Sequence, residues 1–292
     1  MSVPHNERLA LACALAAVLA WSTVATGFKL GLQVLEPLQL LWLGTLISLA
    51  FFAAMLLVSG RWRALAGLRA GDWRWLAGLG LLNPFLYYFI LFEAYDRLPA
   101  QIAQPLNYTW AIVLAVLAVP ILGQPLTRRT LAGIVVSYAG VVVLLAQGRL
   151  DGLARVDALG VTLALLSTLV WALYWLANVR LKIDALVLMT GSFAVGAPAV
   201  GLACALLEGL PALRAPALGY GAWVGLVEMG ITFVLWQTAM RRTAHAGRIA
   251  QLIFLSPFLS LLLIDRVLGE AVSASSVAGL GLIVAGLLIA RR

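Results

Sequence analysis

A carboxylate in the middle of an apolar run is the first residue that asks for chemistry. Glu228 lies inside the run 218–240, with Thr232 and Trp236 four and eight positions on, along one helical face. An ionisable group at membrane depth is costly and therefore a functional candidate. Facing a wet cavity, it would hold a substrate ammonium or take a proton; protonated or paired, it would fasten helices together. The run 99–122 carries Gln101, Gln104 and Tyr108 at i, i+3 and i+7, and the run 247–268 has Arg248 and Gln251 at the matching places. Amides bond a carboxylate or an ammonium without bearing charge, and interhelical hydrogen bonding is their other common use. Arg248 suits a substrate carboxylate and a basic cytoplasmic loop equally well. Two aromatic stripes complete the set: Trp171, Tyr174, Trp175 and Asn178 in the run 157–179, and Asn83, Pro84, Phe85, Tyr88 and Phe92 in the run 74–95. With Trp236, rings such as Trp171, Tyr174 and Tyr88 would make flat walls that accept large side chains by stacking, or would simply pack. Pro84 should kink its helix and free backbone groups near Asn83. Trp62, Trp73 and Trp75 fall near run ends and suit an interfacial belt instead.

The elements that position these residues follow from composition. The 292 residues are 63% hydrophobic and 11% charged, with mean hydropathy +1.01. A soluble domain carries roughly 25% charged residues, so most of this surface must face lipid. The net charge of +8 invites a nucleic-acid partner. The basic residues, however, sit in short clusters between apolar runs, as cytoplasmic loops beside an anionic membrane do. Nucleic acid is excluded and membrane lipid is the partner that remains. Cys13 and Cys204 each lie inside an apolar run and read as small hydrophobes. The arrangement implies no metal and no cofactor.

A helix needs roughly 20 apolar residues to cross a bilayer. The runs are 9–28, 38–59, 74–95, 99–122, 129–146, 157–179, 185–207, 218–240, 247–268 and 272–290, which predicts an all-α membrane protein of ten spans. The first run continues to about Phe28 and has a counterpart after position 157, so it is not read as a cleaved signal. With the N-terminus inside, fourteen of the twenty Lys and Arg residues fall on the inner side and six on the outer. Both termini are therefore expected in the cytoplasm.

The chain also repeats itself. LGQPLTRRTLAGIVVSYAG from Leu122 and LGEAVSASSVAGLGLIVAG from Leu268 share six residues in place, and Ile102–Gln104 recurs as Ile249–Gln251. Trp21 corresponds to Trp171. This predicts two five-helix halves, 1–148 and 149–292, in one membrane domain. Five is odd, so the second half would enter from the opposite side, as inverted repeats do. Gly133/Gly140 and Gly279/Gly286 lie on one face of their helices and allow close approach, either within the chain or as a homo-oligomer seam.

Ten spans in two halves, each closing with LG-[QE]-x-[LV]-[TS] and a helix with paired Ala-Gly, resemble the drug/metabolite transporter superfamily, EamA-like branch. Glu270 keeps the family's Glu after LG; Gln124 departs from it, so that position in the first half carries no required charge. The aromatic candidates make the chain most similar to the bacterial aromatic amino-acid exporters. The resemblance implies a secondary transporter of the bacterial inner membrane, exporting aromatic and other neutral amino acids by alternating access. Glu228 and the glutamines would meet the head group. A nucleotide-sugar or sugar-phosphate carrier of the same superfamily would want several cations in the cavity, and only Lys29 and Arg248 are candidates. A membrane enzyme would need a catalytic constellation, and His5 and His245 have no partner set. A scaffold would tolerate apolar residues at the polar positions. The topology is checked by reporter fusions: positions 65 and 245 should read cytoplasmic and positions 150 and 210 periplasmic, and a reversal at any one breaks the odd-repeat argument.

Overall fold

The computed structural model describes residues 6–123, 127–147, 156–179, 181, 183–245, 249 and 252–291, and among these the secondary structure is helical throughout, with no strand. Eight helices are long and apolar enough to cross a bilayer: α1 (Glu7–Leu32), α2 (Pro37–Val58), α3 (Ala70–Arg97), α4 (Ala100–Ile121), α5 (Arg128–Ala146), α6 (Ala158–Asn178), α7 (Ala185–Leu207) and α8 (Ala215–Arg242). Two shorter helical stretches follow, α9 over 252–268 and α10 (Ala274–Arg291). Helices α1, α3 and α8 run a few residues past the apolar stretches of the sequence, and polar caps fix several starts. Asn6 accepts from Leu9 N at the start of α1, Thr127 from Thr130 N at the start of α5, and Asp184 from Leu186 N and Val187 N at the start of α7.

Several of the long helices are not straight. Thr23 in α1 and Thr109 in α4 turn their hydroxyls back on Ala20 O (2.5 Å) and Leu106 O (2.7 Å), where each helix breaks. Helices α3 and α8 each contain a wide π-helical segment, Leu81–Leu86 and Trp223–Ile231. In α3 the cause is Pro84, which has no N–H to donate, and Asn83 before it leaves the helical region (φ −148°, ψ 118°). The kink expected from the sequence is therefore present. In α8 the Thr232 hydroxyl takes the carbonyl of Val227, five residues back.

Packing follows the small residues. Helices α5 and α10 lie against each other through the four repeat glycines, paired crosswise. A Cβ on Gly140 would stand 2.6 Å from Gly279 O, one on Gly279 would stand 2.7 Å from Gly140 O, and Gly133 and Gly286 meet each other's carbonyl oxygens closer still. Ser137 Oγ donates to Ile283 O across the same seam (3.0 Å). The small-residue faces that could have joined two copies are used within one chain. Helix α2 packs on α7, α1 on α8 and α3 on α6, with α2 also on α8 and α3 also on α7.

Helix ends are tied in a matching way. Glu7 at the start of α1 accepts from Thr243 Oγ1 (2.9 Å) and Ala244 N (2.6 Å) after α8. Asp157 before α6 meets Arg97 at the end of α3 (3.8 Å). Glu208 after α7 caps Leu38 N (2.9 Å) and Gln39 N (3.2 Å) of α2, and Arg61 after α2 meets Asp184 (3.2 Å) before α7. Bulk at the α5–α10 seam should be expensive. Gly140→Leu is expected to cost about 1–3 kcal/mol, read as earlier thermal unfolding in detergent, while Gly281→Leu, where nothing lies within 4 Å, should unfold like the wild type.

Candidate functional site

The wide segments of α3 and α8 carry the two polar candidates that periodicity alone could not relate. Gly80 and Gly225 both let the backbone of a neighbouring helix close in, Gly80 against Ser192 on α7 and Gly225 against Gly44 on α2. Three residues after each glycine stand Asn83 and Glu228. An amide and a carboxylate thus stand at the same spacing from a close-approach glycine, each where a helix widens. Wide turns of this kind occur often at functional sites.

Glu228 is brought to Tyr88: the Tyr88 hydroxyl donates to Oε1 at 3.0 Å. The Trp21 side chain lies within hydrogen-bonding reach of the carboxylate, and Oε2 is buried with no hydrogen bond formed among the described residues. Trp21 in turn packs on Trp236 (ring centroids 5.5 Å) and Phe233 (5.8 Å). Trp236 completes a small cluster with Ala14, Ala239 and Ile249. Glu228 and Trp236 thus share Trp21 as a neighbour, whereas Thr232 turns its hydroxyl into its own helix, onto Val227 O.

From Tyr88 a continuous line of rings crosses from α3 to α6. Tyr88 meets Tyr87 (4.8 Å), Tyr87 stacks on Trp171 (4.4 Å, 27°), and Trp171 stacks on Tyr174 (5.5 Å, 23°). Trp110 and Trp175 close on the edges of Trp171 at 6.5 and 5.8 Å. Trp171 and Tyr174 are buried, so they belong to the interior and not to an interfacial belt. Trp62, Trp73 and Trp75 are exposed, as belt residues are. The far end of the line is polar again. The side chains of Asn83 and Asn178 both lie within hydrogen-bonding reach of the Tyr174 hydroxyl.

The glutamine row divides. Gln104 is 5% exposed, and its Oε1 has no partner among the described residues. Tyr108 lies within hydrogen-bonding reach of Ser256 on α9. Gln101 is different and the cavity expectation for it is corrected. It donates to Ala271 O (3.0 Å) and accepts from Ser273 N (3.2 Å) and Ser276 Oγ (2.9 Å). The reason is position: Gln101 is the second residue of α4, where the α9–α10 turn closes over the helix end. Glu270 of that turn accepts from Ala100 N (3.4 Å), which assigns the Glu of the LG-E motif to capping α4. Arg248 and Gln251 lie outside the described residues. Lys29 is committed elsewhere, donating to Tyr95 O (2.8 Å) and Leu98 O (3.2 Å) at the end of α3. Sequence reasoning passed over Tyr87 and Trp21. The repeat already offered Trp21, as the counterpart of Trp171; nothing in the spacing singled out Tyr87.

Eight helices of spanning length, packed round buried carboxylate, amide and aromatic groups, define a multi-pass helical membrane protein. The chain belongs to the EamA-like transporter family, which matches residues 8–146 and again residues 158–292. It is therefore a transporter and not an enzyme. A relative from Bacillus subtilis (strain 168), the uncharacterized transporter YvbV, is 24% identical over 208 residues, covering 70% of this chain and 67% of that protein. A solved crystal structure shares the fold over 98% of this chain and 97% of its own, at 24% identity and a TM-score of 0.67. The reassignment of Gln101 is testable. Gln101→Leu removes three hydrogen bonds from the α4–α10 clasp and should lower stability by about 1–3 kcal/mol, measured by thermal unfolding, while leaving the ranking of transported solutes unchanged.

Proposed function

We propose that this transporter exports neutral amino acids, aromatic ones among them, across the inner membrane of a bacterium by alternating access. The observation that carries the reading is the line of rings from Tyr88 to Tyr174, ending at one side on a carboxylate and at the other on two amides. Stacked rings accept a flat or large side chain with little regard to its polar substituents. Buried polar atoms without partners, Gln104 Oε1, Glu228 Oε2, Asn83 Oδ1 and Asn178 Oδ1, are costly in a membrane interior unless a polar ligand uses them. The resemblance to aromatic amino-acid exporters points the same way.

The mechanism rests on ten spans in two halves, 1–148 and 149–292, inverted with respect to each other, with both termini cytoplasmic. Adding five to every helix number supports this. The pairs α2–α7 and α5–α10 map onto themselves, α1–α8 becomes α6–α3, and α2–α8 becomes α7–α3. The ties at helix ends exchange likewise, Glu7 with Asp157 and the Glu208 cap with the Arg61–Asp184 pair. Two halves with equal sets of contacts can trade conformations, so that a site between them opens to each side in turn. Two shorter segments, α9 and α10, cross as the ninth and tenth spans. Proton coupling, where present, would fall to Glu228, the carboxylate at the site.

The nucleotide-sugar or sugar-phosphate alternative is disfavoured by Lys29, whose ammonium is held by two backbone carbonyls at a helix end. The test is counterflow in liposomes. Losing one stacking partner is worth about 0.5–1.5 kcal/mol, or roughly 2–13-fold. Trp171→Ala should therefore weaken phenylalanine relative to threonine by that factor. Equal transport of both at wild-type rates would remove the aromatic wall.

A further inference from the structure

The amide end of the ring line has a polarity of its own. Asn83 is 2% exposed, on the wide segment of α3. Trp175 and Asn178 lie three positions apart on α6, beside Tyr174, and α6 packs on that segment of α3. The Tyr174 hydroxyl acts as a clip. It donates its proton toward Met189 Sδ (4.0 Å), and both asparagine side chains lie within hydrogen-bonding reach of it. Both Oδ1 atoms are without partners, so the amide N–H groups are the ones available to the Tyr174 oxygen. At this end of the line three buried polar atoms are without a partner among the described residues: Asn83 Oδ1, Asn178 Oδ1 and Trp175 Nε1. Two are acceptors and one is a donor.

We propose that Asn83, Asn178 and Trp175 form the subsite for the amino-acid head group, the two amide oxygens accepting from the ammonium and the indole N–H donating to the carboxylate. A phosphate or sugar acid would need donors and would face two acceptors. A bare cation would leave the indole N–H unsatisfied. A zwitterion uses all three. The neighbouring Trp171 and Tyr174 rings then receive the side chain, and Glu228, at the other end of the line, is not the ammonium's partner at this subsite. The inference rests on the amino-acid reading above and refines it.

The experiment uses the purified full chain and three probes: phenylalanine, phenethylamine, which lacks the carboxylate, and 3-phenylpropionate, which lacks the ammonium. Dissociation constants come from ligand-induced thermal stabilisation, with phenylalanine counterflow in liposomes run in parallel. Trp175→Phe keeps the ring and removes only the N–H. It should weaken phenylalanine and 3-phenylpropionate roughly 10–100-fold and leave phenethylamine unchanged. Asn178→Leu should weaken phenylalanine and phenethylamine by a similar factor and leave 3-phenylpropionate unchanged. If Asn178→Leu does not fold, Trp175→Phe alone decides, since its prediction already separates the carboxylate from the ammonium. Three probes that shift together, or not at all, in a wild type that still carries phenylalanine overturn the subsite and leave amino-acid export standing. A wild type that neither binds nor carries phenylalanine overturns both.

Discussion

Lipid offers no hydrogen bonds, and that constraint governs nearly every feature of this chain. Backbone groups must be satisfied inside each segment, which is why the described residues form helices and no strands. The same rule explains the ties at the helix ends. Lys29, Glu208 and Glu270 each hold backbone groups that the last or first helical turn leaves open, and Glu7 takes the N–H of Ala244 just beyond α8. It also makes the exceptions informative. Where α3 and α8 widen, the polar side chains at the bend are Asn83 and Glu228, and atoms of both are buried without partners.

The pseudo-symmetry and the site are connected through these two bends. Close approach at Gly80 and Gly225 brings α3 against α7 and α8 against α2, and Asn83 and Glu228 each stand three residues beyond those glycines. Symmetric scaffolding with an asymmetric filling, an amide in one half and a carboxylate in the other, gives the site two chemically distinct ends. The rings between them belong to α3 and α6, which fall in the two separate stretches that the family matches, so the stack between Tyr87 and Trp171 joins those stretches directly.

What the sequence made legible was what depends on length and period. Apolar runs located the helices, the Ala-Gly echoes marked faces of close approach without saying that α5 and α10 would be each other's partners, and Pro84 announced the bend in α3. The i, i+3, i+7 spacing put Trp171, Tyr174 and Asn178 on one face of α6. What stayed hidden depends on partners distant in sequence. Gln101 and Gln104 share a helix face, but only the structure shows the α9–α10 turn lying over the first and not the second. Tyr88 and Glu228 are 140 positions apart, and nothing local ties them. The wide segment of α8 has no proline to betray it, and Lys29 looked available because its two carbonyl partners lie at the end of another helix.

The central claim is that the interior site opens to each side of the membrane in turn. Gln104 is buried with an unpaired oxygen on α4, which packs against α6, so a thiol in its place reports solvent access to the interior beside that helix. The measurement is labelling of Gln104→Cys, with Cys13 and Cys204 replaced by Ser, by a membrane-impermeant thiol reagent in right-side-out and inside-out vesicles. Labelling from both sides, slowed by phenylalanine in each orientation, is the predicted result. Labelling confined to one side whatever the substrate, or no labelling from either, would contradict alternating access at this site.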